Sequence, residues 1–266
     1  MKKGAILFGF NSPKFNYYDM AIKTAKRINH FLDLPVTVVT DQDSINDSSS
    51  DYVFDHTVIV EPDKSNTRDN NVMWINKGRY QAYALSPYDS TLLVDTDYVI
   101  NSNKLATLFN LNTDFCCHDS TYYLLKNEPA TSYLSTKSVK NLWATVIKFD
   151  KTQKAEHIFD CIKMIENNFK HYETVHGFLG DSYRNDFALS IALRIVNGHI
   201  DDKSNYIPWN LTHIGDDVII EPLSESEFNT SFKVTVTNSL TNKKEYIIIK
   251  DYDFHMIIKN NIMEIL

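Results

Sequence analysis

The first hundred residues alternate short β-type runs with helix-type periods, and this alternation restricts the fold more than any other feature of the chain. Ala5 to Phe10 is a compact apolar run, followed by Tyr17, Met20, Ala21, Thr24, Ala25, Ile28 and Phe31 at helical spacing. Pro35 stops that helix, and the β-branched run Val36 to Thr40 closes at Asp41. Asp41 to Asp51 is rich in Ser, Asn and Asp and predicts a surface loop. A short strand follows at Thr57 to Val60, then a helical pattern from Asn71 to Leu85 that stops before Pro87. Thr91 to Val94 reads as a buried strand ending in Asp95-Thr96-Asp97. Strands separated by helices predict a mostly parallel sheet with helices on both faces. Ligands of such sheets collect at the carboxyl ends of the strands, which puts Gly9 to Asn11, Asp41 and Asp95 to Asp97 on one rim.

The second half is less regular. Asp114 to His118 and Trp143 to Phe149 read as strands. Ala155, Ile158, Phe159, Ile162, Ile165 and Phe169 mark an amphipathic helix, and a second helix runs from about Asn185 to Val196, stopped by Asn197-Gly198. Val218 to Ile220, Phe232 to Val236 and Tyr246 to Ile249 complete the pattern, the last two as an antiparallel hairpin around Asn238 to Lys243. With no internal repeat, linker or low-complexity tract, the expectation is α/β: a single Rossmann-like domain over residues 1–266 with a C-terminal β-hairpin.

Composition narrows the function classes. A chain of 266 residues with 43% hydrophobic and 23% charged residues has the make-up of a globular domain with a sizeable core. The net charge of −7 disfavours non-specific binding to nucleic acid or acidic membranes. Lys137, Lys140, Lys148, Lys151 and Lys154 form the densest basic cluster, which could track a phosphate backbone but reads more simply as a solvated face. Cys116, Cys117 and Cys161 are neither a disulfide framework nor a zinc set, which points to a reducing compartment. No apolar stretch reaches the length of a membrane span, so the expected location is the cytoplasm, or the host cytoplasm for a phage-encoded chain.

Asp95-Thr96-Asp97 carries the sharpest chemistry. Two carboxylates at a strand end suit a hard divalent cation, which binds through one or two carboxylates plus substrate phosphates. Asp-x-Asp triplets also occur as solvated loops, and Asp41-Gln42-Asp43 and Asp251-Tyr252-Asp253 are two more. What distinguishes Asp95 to Asp97 is its place directly after a Leu-Leu-Val strand in an α/β unit.

The stretch Asn76-Lys77-Gly78-Arg79 followed by Ala84 to Asp97 resembles the core of metal-dependent nucleotide-sugar glycosyltransferases of the A fold, most of all the glycogenin and bacterial galactosyltransferase type. Asn141 to Asp150 resembles that family's strand under the donor sugar, with Trp143-Ala144-Thr145 where the family usually has Asn-Ala-Gly. Asn185 to Leu189 resembles its acidic helix start. The resemblance covers about residues 4 to 200 and implies a single A-type domain, residues 1–100 its nucleotide-binding half and 101–266 its acceptor half and C-terminal closure. It implies Mn²⁺ or Mg²⁺ on Asp95 and Asp97, with a late histidine as third ligand. His255 is preferred over His213 because Lys259 follows it at helical spacing, where both could face one diphosphate. Lys77 and Arg79 correspond to the basic residues that face the donor, Thr96 sits between the metal aspartates, and Asp186 matches the residue that contacts the sugar or acts as base. Asn11 and Asp41, at the first two strand ends, are placed to contact the nucleoside.

The implied activity is transfer of a sugar from a nucleotide-diphosphate donor, UDP-linked by resemblance, to a glycan, protein, small molecule or modified DNA base. The chain is rich in Asn, Lys and Ile, as proteins of AT-rich bacterial or phage genomes are, and in a phage setting a hydroxymethylated DNA base would be a natural acceptor. Two rivals stand beside this reading. A nucleotidyltransferase would show a glycine-rich phosphate loop, and Gly9-Phe10-Asn11-Ser12-Pro13-Lys14 is poor in glycine. A catalytically silent carbohydrate- or partner-binding domain could keep the fold without the turnover.

Overall fold

The computed structural model describes residues 1–61, 67–68, 72–73, 76–124, 128–136, 138–178, 182–215, 218–237, 244–256, 259 and 261–266, with the backbone alone at 67–68, 72–73, 76–77, 128 and 237. Its centre is a six-stranded sheet. In chain order the strands are β1 (Lys3–Phe8), β2 (Val36–Thr40), β3 (His56–Ile59), β4 (Ser90–Val94), β5 (Phe115–His118) and β6 (Trp143–Asp150), arranged β3-β2-β1-β4-β6-β5. β1 pairs parallel to both β2 and β4, and β2 parallel to β3. β6 alone runs against its neighbours β4 and β5. This is the mostly parallel α/β sheet that the alternation predicts.

The pleat divides the core into two layers. Ala5 and Leu7 of β1 face helix α1 (Tyr17–Leu32), whose Ala21, Ala25 and Ile28 are fully buried against them. Ile6 and Phe8 face the other way, onto helices α2 (Gln153–Asn167) and α3 (Asn185–Val196) through Ile158, Ile162, Leu189 and Ile191. Helices therefore cover both faces, and period-2 and period-3.6 apolar patterns meet in one core. Gly4 lets the Tyr88 ring lie directly against β1, since a Cβ there would stand 2.4 Å from the ring.

Several local expectations change. Asp41 to Asp51 is not wholly loop, because Asp41 caps a short helix, Gln42–Asn46, by accepting from the Ser44 amide at 2.7 Å. The helix predicted over Asn71 to Leu85 is shorter, a 3₁₀ segment at Asn76–Gln81 running into Ala82–Leu85, with a strand at Val72–Met73. Phe169 opens a helix of its own, Phe169–His176, instead of closing α2. The expected hairpin is present and gains a third strand, giving an antiparallel meander of Val218–Pro222, Ser231–Thr237 and Lys244–Lys250.

A second, five-stranded sheet lies beyond the carboxyl end of β4. Its strands run in the order Glu128–Ala130, Thr121–Tyr123, Leu211–Ile214, Phe254–Met256 and Tyr98–Val99. They are two to four residues long, too short for any periodic signal in sequence. This sheet brings residues from the late part of the chain to the Asp95–Asp97 turn.

Candidate functional site

The turn itself is fixed by backbone hydrogen bonds. The Asp95 amide donates to the Thr145 carbonyl on β6 at 2.9 Å, and the Tyr98 amide donates back to the Asp95 carbonyl at 3.1 Å. Tyr98–Val99 then pairs antiparallel with Phe254–Met256, with His255 opposite Tyr98, and the Met256 amide donates to the Asp97 carbonyl at 3.1 Å. Leu211–Ile214 pairs parallel to the same strand and sets His213 beside His255. Two consecutive ladders thus place Asp97, His255 and His213 in a row.

The side chains complete a compact polar cluster. Single oxygens of Asp95 and Asp97 and one ring nitrogen of His255 all lie within 4.8 Å of one another. His255 Nε2 is 3.4 Å from Asp97 Oδ1, and His255 Nδ1 is 3.2 Å from His213 Nδ1. Lys259 Nζ lies 3.0 Å from Asp97 Oδ2 and donates to the Tyr17 hydroxyl at 3.0 Å, above that ring. Arg79 Nη1 lies 2.7 Å from Asp95 Oδ1, and its Nη2 is buried with no hydrogen-bond partner among the described residues. His213 packs between the rings of Tyr123 and Trp143 and is 3% exposed.

Electrostatics separate the two aspartates. Burial pushes Asp95 up to about 6, with Asp97 adding to the rise and Arg79 opposing it. Burial would also raise Asp97, but the Lys259 ammonium and the His255 ring outweigh it and hold that carboxylate below its usual range. Burial disfavours charge on His255 and Lys259, yet Asp97 beside them raises both. His213, desolvated and next to His255, falls to about 4 and is a neutral imidazole. The cluster holds one firmly ionised carboxylate and one that burial disfavours.

Two carboxylates and an imidazole are able to ligate a divalent metal ion. Convergence of the three ligand atoms fits such an ion. Arg79 and Lys259 border it with positive charge, each paired with one of the two aspartates.

The other expected site residues are distributed around this cluster. Thr96 is buried within the turn, and its carbonyl accepts from the Thr24 hydroxyl at 2.9 Å. Asp186, at the start of α3, accepts from the Ala144 amide at 2.7 Å and is near enough to Asp95 to raise it. Asn11 lies at the end of β1, where its side chain accepts from the Tyr18 amide at 3.0 Å and its amide donates to Ser44. Asp41 ends β2 as the helix cap described above. The side chain of Lys77 lies outside the described residues, as does Lys137 of the basic cluster.

The lysine cluster is not a free basic face. Lys148 is 1% exposed, donating to the Thr113 carbonyl and to Asp150 Oδ2, while Lys140 and Lys154 pair with Asp119 and Asp202. Cys116, Cys117 and Cys161 are free and buried. No helix among the described residues is long and apolar enough to cross a membrane.

No protein-family model matches the sequence, and no curated protein matches it. Solved structures with a similar backbone include glycosyltransferases. The galactosyltransferase LgtC, in complex with donor and acceptor sugar analogs, is 11% identical with a TM-score of 0.47, over 71% of this chain and 70% of that one. Mouse xyloside xylosyltransferase 1 is 8% identical with a TM-score of 0.45, over 75% and 84%. The glycosyltransferase GlyE of Streptococcus pneumoniae TIGR4 is 13% identical with a TM-score of 0.41, over 77% and 45%. All three scores lie below 0.5, and the residues of this chain carry the functional reading.

Proposed function

We propose that this chain is a metal-dependent glycosyltransferase that takes a nucleotide-diphosphate sugar, UDP-linked by its sequence resemblance, and transfers the sugar to an acceptor. The observation that carries the reading is the convergence of Asp95, Asp97 and His255 at the end of a parallel strand, bordered by Arg79 and Lys259. In this reading Asp95, Asp97 and His255 hold Mn²⁺ or Mg²⁺. A divalent ion there supplies Lewis-acid neutralisation of the charge that grows on a departing nucleoside diphosphate.

The chain's own residues do the rest. Lys259, kept protonated by Asp97, and the Nη2 of Arg79, without a partner among the described residues, present N–H donors to diphosphate oxygens. Lys77 joins them by its position in the resembling motif. Asp186 lies on the Asp95 side of the cluster, suited to orient the transferred sugar or accept the acceptor's proton. Asn11 and Asp41, at the ends of the first two strands, stand on the nucleoside side of the rim and fix its backbone, and Thr96 holds the turn between the two aspartates.

Incubation with UDP-glucose, UDP-galactose and other nucleotide sugars is expected to release the nucleoside diphosphate slowly into water in the presence of Mn²⁺. EDTA stops the release and Mn²⁺ restores it. Absence of turnover with every donor, with and without metal, leaves a silent binding domain as the reading.

His213 offers a finer test. With His255 ligating through Nε2, its Nδ1 carries the proton and donates to the neutral His213, which fixes the ring's tautomer and orientation. His213→Phe is expected to weaken Mn²⁺ binding by about 10–100-fold. His213→Asn, which retains an acceptor oxygen, recovers part of the loss in calorimetric titration. Equal affinity for wild type and His213→Phe would remove His213 from this role.

A further inference from the structure

A cleft of about 870 Å³ separates the five-stranded sheet from the free edge of the C-terminal meander. On strand Leu211–Ile214 the side chains alternate, so His213 faces the metal cluster and Thr212 faces away. Thr212 and the Tyr122 opposite it line the cleft, which therefore lies across the sheet from the cluster. The other wall is strand Lys244–Lys250, paired on one side only, with Tyr246 64% exposed.

The chemistry of the lining selects a ligand class. Trp209, Tyr122, Tyr246 and Tyr252 supply aromatic surface, and Asn210, Ser102 and the carboxylates supply hydrogen-bonding groups beside it. Aromatic faces cover the C–H faces of pyranose rings, while amide, hydroxyl and carboxylate groups take up the ring hydroxyls. Charge excludes the alternative polymer. Among the described residues, Glu245, Asp251 and Asp253 line the cleft against the one ammonium of Lys104, 4.6 Å from the Trp209 ring centroid, while Lys233, 5.5 Å from the Tyr246 ring centroid, is paired with Glu221. Three carboxylates to one cation repel a phosphate backbone. The volume lies within the range of small-molecule sites and admits several sugar units.

We infer that this cleft binds an uncharged glycan chain and so anchors a carbohydrate acceptor on the far side of the sheet from the metal cluster. Its role as an acceptor anchor rests on the glycosyltransferase reading; binding of the glycan does not.

The test is binding in the absence of donor and metal, using a glycan array followed by titration of the best neutral oligosaccharide, with a DNA duplex containing hydroxymethylcytosine in parallel. The expected result is saturable oligosaccharide binding, weakened about tenfold or more by Tyr246→Ala and by Trp209→Ala, and no competition from the duplex. Tyr246 is exposed, so its variant keeps the test valid if Trp209→Ala folds poorly. Mn²⁺-dependent donor hydrolysis should be unchanged in Tyr246→Ala. No glycan bound across the array, binding indifferent to both substitutions, or preference for the duplex each overturns the inference. Glycan binding without any donor hydrolysis would instead retain the cleft and remove the enzyme reading.

Discussion

Asp97→Ala is expected to lower Mn²⁺-dependent hydrolysis of a nucleotide sugar by about three orders of magnitude, the several kcal/mol that a Lewis-acid contact supplies. Asp97 is where the other groups meet: His255 approaches one of its oxygens and Lys259 the other. Removing the carboxylate deletes a ligand and also leaves two largely buried cationic groups without their counter-charge. Asp97→Asn keeps the shape and hydrogen-bonding reach but not the charge, so it should fall nearly as far. Steady-state release of nucleoside diphosphate, measured across a Mn²⁺ series, is the readout. Undiminished hydrolysis in both variants would defeat the metal-dependent reading.

Arg27→Met should cost about 3–5 kcal/mol of folding stability, because it leaves several buried carbonyl acceptors without their donor at about 1–3 kcal/mol each. Arg27 is 1% exposed on α1. Its guanidinium donates to the carbonyls of Ile100 at 2.8 Å, Asn229 at 2.6 Å, Leu266 at 3.2 Å and Glu227 at 3.3 Å, and to the side chain of Asn101. Burial lowers its pKa to about 10, still far above neutrality, so the charge persists. A melting temperature lower by about 5–10 °C corresponds to that cost in a chain of this size. Arg27→Lys should rescue little, because one ammonium cannot reproduce a planar fork with five donors. A loss under about 1 kcal/mol in denaturant titration would show that these bonds are replaced by water. Asn101 also donates to the Tyr252 carbonyl and, through its amide, to Asp253, so the same substitution should loosen the strand that carries His255.

What was legible in the sequence follows from the length of each pattern. α1 and α3 and the strands β1, β2 and β4 are long or uniformly apolar, and their periods place them within a residue or two. The Asp95–Asp97 turn was legible for the same reason, since a buried strand points at it. The five-stranded sheet was not, because strands of two to four residues carry no period and depend on pairing partners far along the chain. That sheet turns His213 and His255 from competing candidates into neighbours. The pairing of Arg79 with Asp95 was hidden similarly: the pattern gave Arg79 a helix, while its buried environment comes from β4 and the turn. Lys148 misled in the opposite sense, since lysine in a basic run suggests solvent, and only the β6 register puts it under Thr113 and Asp150.

The insertion of Phe254–Met256 between Leu211–Ile214 and Tyr98–Val99 has a consequence for how the protein comes into being. A ribosome delivers the two aspartates early and their histidine and lysine late, and the slot between the two waiting strands stays open until then. Closing it requires contacts of very high sequence separation, which form slowly and after local structure. The nascent chain can therefore assemble its central sheet well before the Asp95–Asp97–His255 cluster exists. The cluster is the last stitch of folding.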